Sequence, residues 1–169
     1  GRTGSHLMVH GACSSAGCYS MTDESAGEIF ALARDAFKGG QRSFQIQAFP
    51  FRMTPQNMAK HQGDANMAFW ENLKLGSDHF EVTHIPPKVD VCDKRYVFDA
   101  NAGNARFNPT GACPRYKVPG DIATPVAAKQ AADDAAIAAA VTKAETRAVE
   151  AAAEKQQLAD EEAAAVAKK

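Results

Sequence analysis

The order of apolar and polar residues predicts a strand, a loop and a helix in the first part of the chain. Apolar residues at 7–9 indicate a short strand, which leads into a loop of small residues from 12 to 19. Beyond this loop, apolar residues recur at helical spacing between 29 and 37, with Thr22 or Asp23 as the N-cap. This helix is the clearest element that the pattern predicts.

The middle of the chain predicts further strands and helices in a mixed order. A half-buried strand, two short helices, an alternating segment and two more strands are expected in turn, at 43–48, 54–75, 80–84, 89–91 and 96–98. Gly76 is expected to end the second short helix. The sequence therefore predicts an α+β fold.

The composition changes sharply near Pro119. All aromatic residues and all cysteines precede it, so the core is expected within residues 1–118. Residues 119–169 read as a linker and an Ala-, Glu- and Lys-rich tail, either helical or disordered. We expect a solvated, partly frayed extension; a weak coiled coil or a spacer toward a surface is the alternative.

Charge and hydropathy restrict the classes of function. The 19 Lys and Arg residues against 20 Asp and Glu residues give a formal net charge of −1, which removes the electrostatic case for nucleic-acid binding. The apolar runs are too short to predict a transmembrane segment. Because the first residue is Gly and not Met, we expect a fragment or a processed product, whose missing leader carries no information about export.

The loop before the helix contains a candidate nucleophile. Cys18 lies between Gly17 and the helix start, and His10 precedes it in the adjacent strand, an arrangement that favours the reactive thiolate. Gly17 allows a tight turn that aims backbone N–H groups at a developing oxyanion. Taken alone, Cys18 is better interpreted as an inert packed thiol and His10 as a structural histidine.

Several segments together resemble a known family. They are His10-Gly11, Ser15-Ala16-Gly17-Cys18-Tyr19-Ser20-Met21 followed by Glu28-Ile29, then the stretch from Phe49 to Thr54, Phe69-Trp70, and Phe80 to Thr83. This set resembles the L,D-transpeptidase (YkuD-like) catalytic domains, in the murein branch that has a shortened His-Gly…Gly-Cys signature. The resemblance extends to about Tyr116.

The resemblance implies roles for individual residues. Cys18 would be the nucleophile, His10 its general base, and the Gly11 carbonyl the group that orients the imidazole. Backbone N–H groups of Gly17 and Cys18 would form the oxyanion hole. The family's usual His before Gly-Cys is Ala16 here, and its usual Arg or Asn is Ser20, so that transfer and hydrolysis are both expected.

The resemblance also implies a fold, a substrate and a location. The fold would be a β-rich sandwich or barrel with attached helices, here without its N-terminal strands, so that residues 1–118 form the C-terminal part of the catalytic domain. The enzyme would form an acyl-thioester with peptidoglycan stem peptides at diaminopimelate, in the periplasm or cell envelope. A peptidoglycan-linked lipoprotein is a further expected partner. The alternative is a non-catalytic cell-wall-binding or structural module of the same fold.

Two more residues are candidates for binding the substrate. Arg52, between a predicted strand end and a helix cap, could bind a stem-peptide carboxylate with its guanidinium; pairing with a surface carboxylate is the competing interpretation. Tyr19, next to the proposed nucleophile, is the second candidate.

The remaining cysteines suggest a structural role. Cys92 and Cys113 flank a Gly- and Asn-rich stretch outside the signature, which suits a disulfide in an oxidising compartment. Cys13 could pair with either of them or remain free. The cysteines lack the paired spacing of common zinc motifs, so neither a metal nor another cofactor is predicted, although His10, Cys13, Cys18 and Cys92 form a conceivable ligand set.

Overall fold

The computed structural model describes residues 7–12 and 14–167, and the chain divides into two compact units, 1–47 and 48–169. In the first unit, β1 (Val9–His10) pairs in parallel with β2 (Tyr19–Ser20), and α1 spans Asp23–Lys38. The short strand and the following helix are therefore present where the sequence predicts them.

Helix α1 begins at a side-chain cap and leaves its apolar residues exposed. The Thr22 hydroxyl accepts a hydrogen bond from the Ser25 backbone N–H at 3.2 Å, which satisfies one free donor of the first turn. At the other end, Gly39 donates its N–H to the Asp35 carbonyl. Phe30 and Leu32 are 69% and 73% exposed, and no described residue of the first unit is fully buried. The described part of this unit therefore has no closed core of its own.

The second unit contains three helices and one hairpin. Its elements are α2 (Pro55–Lys60), α3 (Met67–Thr83), β3 (Val89–Cys92), β4 (Arg95–Phe98) and α4 (Gly120–Ala167). Strands β3 and β4 pair antiparallel through a two-residue turn, in which Asp93 and Lys94 both have positive φ. Two left-handed residues match the twist of the flanking strands in such turns. The predicted strands at 89–91 and 96–98 are thereby confirmed.

A small apolar core with a disulfide lies beside this hairpin. Cys92, Val97 and Ala100 are buried together, with Phe107 packed against them. Cys92 is bonded to Cys113, and the backbone N–H of Asp93 donates to the Gly111 carbonyl at 2.8 Å. The segment that ends at residue 113 is therefore attached to the hairpin both covalently and by hydrogen bonds.

The buried face of α3 is largely polar and is satisfied by ion pairs. The Lys74 ammonium donates to both carboxylate oxygens of Asp78 at 2.9 and 2.8 Å, and to Asp133 of α4 at 2.6 Å. Lys129 also donates to Asp133, at 2.8 Å. Since Asp78 is only 1% exposed, these partners are needed to hold charge in the interior.

A second polar contact joins α3 to the end of β4. His79 is buried at 3% exposure, and its Nδ1 lies 2.7 Å from the Asp99 carboxylate. The other Asp99 oxygen accepts the Lys88 backbone N–H at 2.8 Å. Asp99 adopts a positive φ of 48°, so these two hydrogen bonds hold a conformation that is uncommon for a non-glycine residue.

The first part of α4 packs against the rest of the second unit. Val126 is 3% exposed, and Lys129 and Asp133 form the ion pairs with α3. The expectation of a wholly solvated, partly frayed extension is wrong for this part, because Val126 is buried and the α4 charges Lys129 and Asp133 pair with α3. From residue 143 to 162 every residue is exposed, as the composition predicts.

Three predictions about elements are wrong. Residues 43–48 form no strand and pair with none of the described strands. Gly76 does not end α3, and the alternating residues 80–84 belong mostly to the last turn of that helix. At Gly76 the helix passes close to the Phe98 ring, so the absence of a side chain serves packing and not termination.

The mixture of helices and strands confirms the α+β class. The described strands form two separate two-stranded sheets, β1-β2 and β3-β4. Across the described part of the chain, no helix combines the length and apolar character needed to cross a membrane.

Candidate active site

The parallel pairing of β1 and β2 brings the two ends of the candidate loop together. The register places His10 opposite Ser20 and Val9 opposite Tyr19, so Cys18 immediately precedes the strand that pairs with the strand of His10. The Tyr19 N–H donates to the Met8 carbonyl at 2.9 Å. The loop from 11 to 18 therefore begins and ends at neighbouring backbone positions.

His10 is held both through its backbone and through its ring. Its carbonyl accepts the Met21 N–H at 2.9 Å, and its Nδ1 contacts the Gly11 carbonyl oxygen. Because a carbonyl oxygen can only accept, Nδ1 must be the protonated nitrogen of the neutral ring. The unprotonated Nε2 is then the nitrogen that can take a proton from another group.

Cys18 carries a free thiol and is partly exposed. Within the described residues, no hydrogen bond joins its side chain to that of His10. Tyr19, the adjacent candidate for substrate contact, is 47% exposed. Cys13 itself lies outside the described residues, but neither Cys92 nor Cys113 is available to pair with it, because they are bonded to each other.

Ser15 organises the turn that carries Cys18. Its hydroxyl oxygen accepts the N–H groups of Gly17 at 3.3 Å and Cys18 at 2.7 Å, and the hydroxyl donates to the Cys18 carbonyl at 3.0 Å. Gly17 has a φ of 124°, a conformation that side chains disfavour. The two predicted oxyanion donors therefore converge on one oxygen atom, which in this structure is the Ser15 hydroxyl.

Asp23 fixes the other end of the loop. Its carboxylate accepts the Ala12 backbone N–H at 2.8 Å, while Ala12 adopts a left-handed φ of 59°. A Cβ atom at Gly11 would lie 2.1 Å from the same carboxylate oxygen, so only glycine fits there without a displacement of the Asp23 carboxylate. The glycine after His10 is thus required by the close approach of Asp23.

Arg52 belongs to the second unit, whereas His10, Cys18 and Tyr19 belong to the first. Its backbone carbonyl accepts the Thr54 N–H at 2.8 Å and the Asn57 side-chain amide at 3.0 Å. Its side chain is exposed and makes no ion pair with any residue that the structure describes. The competing interpretation, an Arg paired with a surface carboxylate, thus finds no partner there.

Sequence reasoning missed the structural contributions of Ser15 and Asp23. Asp23 was considered only as a helix cap, but Thr22 caps the helix and leaves the Asp23 carboxylate for the loop. Ser15 was named only as part of the signature, with no role of its own. Among residues 7–12 and 14–167, no group of three or more His, Cys, Asp or Glu side chains is arranged to hold a metal ion.

Comparison with known proteins adds an independent line of evidence. The chain is 47% identical over 97 residues, 57% of its length, to the curated protein named "Putative L,D-transpeptidase YafK" of Escherichia coli (strain K12). The protein of that name from Escherichia coli O157:H7 matches equally well. The aligned part spans 39% of the length of each relative, and no family model matches. This similarity confirms the predicted resemblance to the L,D-transpeptidase family.

Proposed function

We propose that the complete protein is a peptidoglycan-modifying cysteine enzyme, with Cys18 as nucleophile and His10 as general base. The observation that carries this proposal is the orientation of His10. Its Nδ1 is engaged by the Gly11 carbonyl, which leaves Nε2 free to accept a proton beside a loop with a free thiol. A base oriented by a third group is the arrangement that activates a weak nucleophile.

The first chemical step is acylation of Cys18. His10 Nε2 takes the thiol proton, and the thiolate attacks the carbonyl carbon at the L-centre of diaminopimelate in a stem peptide. As the C–S bond forms, the amide C–N bond breaks, and His10 returns the proton to the leaving amine nitrogen. During attack, the substrate oxygen would replace the Ser15 hydroxyl as acceptor of the Gly17 and Cys18 N–H groups.

The second step resolves the thioester. Water or an acceptor amine gives a proton to His10 as it attacks the acyl carbon; the C–S bond breaks, and the sulfur recovers that proton. Ala16 and Ser20 replace the imidazole and the cation of the usual signature, so hydrolysis stands beside transfer as a product of the same intermediate. A lipoprotein linked to peptidoglycan is one substrate that hydrolysis would release.

The fold and location of the complete protein are part of the same proposal. The family resemblance supports a sandwich or barrel with further strands, residues 1–118 as the C-terminal part of the catalytic domain, and 119–169 as an extension. The apolar residues of α1, exposed in the described unit, are the surface that the rest of such a domain would cover. We place the protein in the cell envelope or periplasm, where a disulfide between Cys92 and Cys113 would persist. Arg52 and Tyr19 are our candidates for contact with the stem peptide.

Intact-mass analysis of the complete protein, incubated with a stem tetrapeptide, tests this proposal. We expect a covalent acyl adduct on the native protein and none on Cys18→Ala. The matched control is Cys13→Ala, which replaces the other cysteine of this part of the sequence and is expected to keep the adduct. His10→Gln should slow adduct formation by about a hundredfold or more, because a positioned general base contributes that much.

The result also separates the two candidate functions. Peptidoglycan binding without an adduct, together with an unchanged muropeptide profile, would replace the enzymatic proposal with the non-catalytic wall-binding module.

A further inference from the structure

The peptide group between Gly11 and Ala12 is engaged at both ends. Its C=O faces His10 Nδ1, and its N–H donates to the Asp23 carboxylate at 2.8 Å. These two contacts belong to one planar unit, so neither end can rotate without moving the other. The orientation of the carbonyl that faces His10 thus depends on the hydrogen bond to Asp23.

We propose that Asp23 is a positioning residue for His10, acting through the Gly11–Ala12 peptide group. This inference rests on the proposed function of His10 as general base. The carboxylate, the peptide and the imidazole form a continuous chain of hydrogen bonds, in which a backbone peptide stands between the carboxylate and the base. Asp23 touches neither the nucleophile nor the substrate in this role.

The conformation of the loop explains why such a contact is needed. Ala12 adopts a φ of 59°, which is unfavourable for a residue with a Cβ and persists only when its surroundings hold it. The hydrogen bond from Ala12 N–H to an ionised carboxylate is stronger than one to a neutral acceptor. Asp23 therefore selects the peptide orientation that presents a carbonyl oxygen to Nδ1.

This chain of hydrogen bonds from Asp23 to His10, here called the relay, begins at a negative charge and therefore suits a base that becomes positively charged. A negative charge at one end of a hydrogen-bonded chain polarises the intervening peptide and strengthens its carbonyl as an acceptor. When His10 takes the proton of Cys18, the ring becomes a cation whose Nδ1–H points at that carbonyl. The relay thus stabilises both the correct tautomer before proton transfer and the imidazolium after it.

The sequence and the close packing supply the second line of support. Asp23 Oδ1 would lie 2.1 Å from a Cβ at position 11, so the carboxylate occupies the space that any other residue after His10 would need. Glu24, the next acidic residue of the same helix turn, has no such contact among the described residues. The interaction with the loop is therefore specific to Asp23 within this turn.

The test compares Asp23→Ala, Asp23→Asn and Glu24→Ala in the complete protein. Nitrogen NMR of 15N-histidine-labelled protein reads the His10 tautomer, with the signal assigned by its loss in His10→Gln. We expect Nδ1–H in the wild type, in Asp23→Asn, which keeps an acceptor oxygen, and in Glu24→Ala. In Asp23→Ala we expect a shift away from that tautomer.

The kinetic measurement uses the rate of adduct formation with stem tetrapeptide. Asp23→Ala should lower kcat by about ten- to hundredfold with little change in KM, since misplacing a catalytic group costs that much and no substrate contact is lost. Asp23→Asn should recover most of this loss, whereas Glu24→Ala, which removes one charge from the same helix turn, should match the wild type.

Two outcomes would overturn the inference. An unchanged His10 tautomer in folded Asp23→Ala excludes the relay, and equal losses of rate in Asp23→Ala and Glu24→Ala assign the effect to the helix charge. Because the NMR measurement needs no substrate, it remains informative if the wild type forms no adduct, which would contradict the proposed function alone.

Discussion

At the scale of single residues, the second unit contains two aspartates whose carboxyl groups differ in environment. Burial raises the pKa of Asp78, although the Lys74 ammonium opposes this effect. Burial also raises the pKa of Asp133, but hydrogen bonds from Lys129 and Lys74 outweigh it, and the pKa lies below its ordinary value of 3.8. Ionisation of Asp133, and not of Asp78, therefore favours the folded state.

Asp133→Asn should lower the free energy of unfolding by about 1.5–3 kcal/mol at neutral pH, because a hydrogen-bonded charge is lost. A lowered carboxyl pKa contributes stability above its unfolded value, and this contribution is lost as the pH falls through the folded value. The difference in the free energy of unfolding between the wild type and Asp133→Asn should thus shrink as the pH falls from about 5 to about 2. Urea unfolding across this range measures it.

The control for this experiment is Asp134→Asn. Asp134 is the next residue of α4, is exposed and forms no ion pair among the described residues. Its substitution should change stability by less than about 0.5 kcal/mol. A deficit of Asp133→Asn that persists unchanged at low pH would show that packing, not charge, sets its effect.

At the scale of elements, the sequence predicted the starts of helices whose capping hydrogen bonds are formed between neighbouring residues. Thr22 as a cap and the helical segment from residue 54 predicted the starts of α1 and α2, and the structure begins both helices there. The strands at 89–91 and 96–98 were also predicted, whereas their pairing as a hairpin is a finding of the structure. A long-range contact explains the failure at Gly76, which was expected to end a helix but instead passes close to the Phe98 ring of β4.

The candidate site also combines residues that a local motif identifies with one that only a tertiary contact reveals. His10, Gly11 and Cys18 were identifiable from a motif. The contribution of Asp23, by contrast, depends on a tertiary hydrogen bond to residue 12, eleven positions earlier. No local pattern distinguishes an aspartate that caps a helix from one that accepts a loop N–H.

Gly76→Ala tests the close packing of α3 on β4. An added Cβ would lie 2.5 Å from two atoms of the Phe98 ring, so the ring or the helix must shift. We expect a loss of about 1–3 kcal/mol, as for other overpacked sites. Urea unfolding of the variant measures this value.

The matched control for that experiment is Gly27→Ala in α1, where a new Cβ meets nothing within 4 Å. This substitution should stabilise the protein by about 0.5–1 kcal/mol through helix propensity alone. If Gly76→Ala gave the same gain, the contact with Phe98 would not be close in solution.

At the scale of the whole molecule, α4 changes character along its length. Its first part contributes Val126, Lys129 and Asp133 to the packed second unit, whereas residues 143–162 contact solvent only. From the sequence, the core was expected to end at residue 118, because all aromatic residues and cysteines precede Pro119. Burial of Val126 and the ion pairs of α4 extend the packed region beyond that position.

Truncation measures where the folded part ends. A chain that ends at Lys143 should keep the thermal midpoint of the 169-residue chain, because none of the described side chains beyond it is buried. A chain that ends at Val118 should lose cooperative unfolding, since Lys74 and Asp78 would lose Asp133 and Lys129 as partners. Circular dichroism during heating reports both. A lower midpoint on ending at Lys143 would reveal a contact of the exposed half.

Because Cys92 and Cys113 form a disulfide, the stability of the hairpin depends on the redox conditions in which the protein folds. Closing a loop of 21 residues in this way restricts the unfolded chain by about 3 kcal/mol in the chain-entropy model. Protein produced in a reducing cytoplasm would forgo that contribution, and with it the anchor that holds the turn at Gly111 near Asp93. Material made for crystallisation or assays should therefore be folded where thiols oxidise.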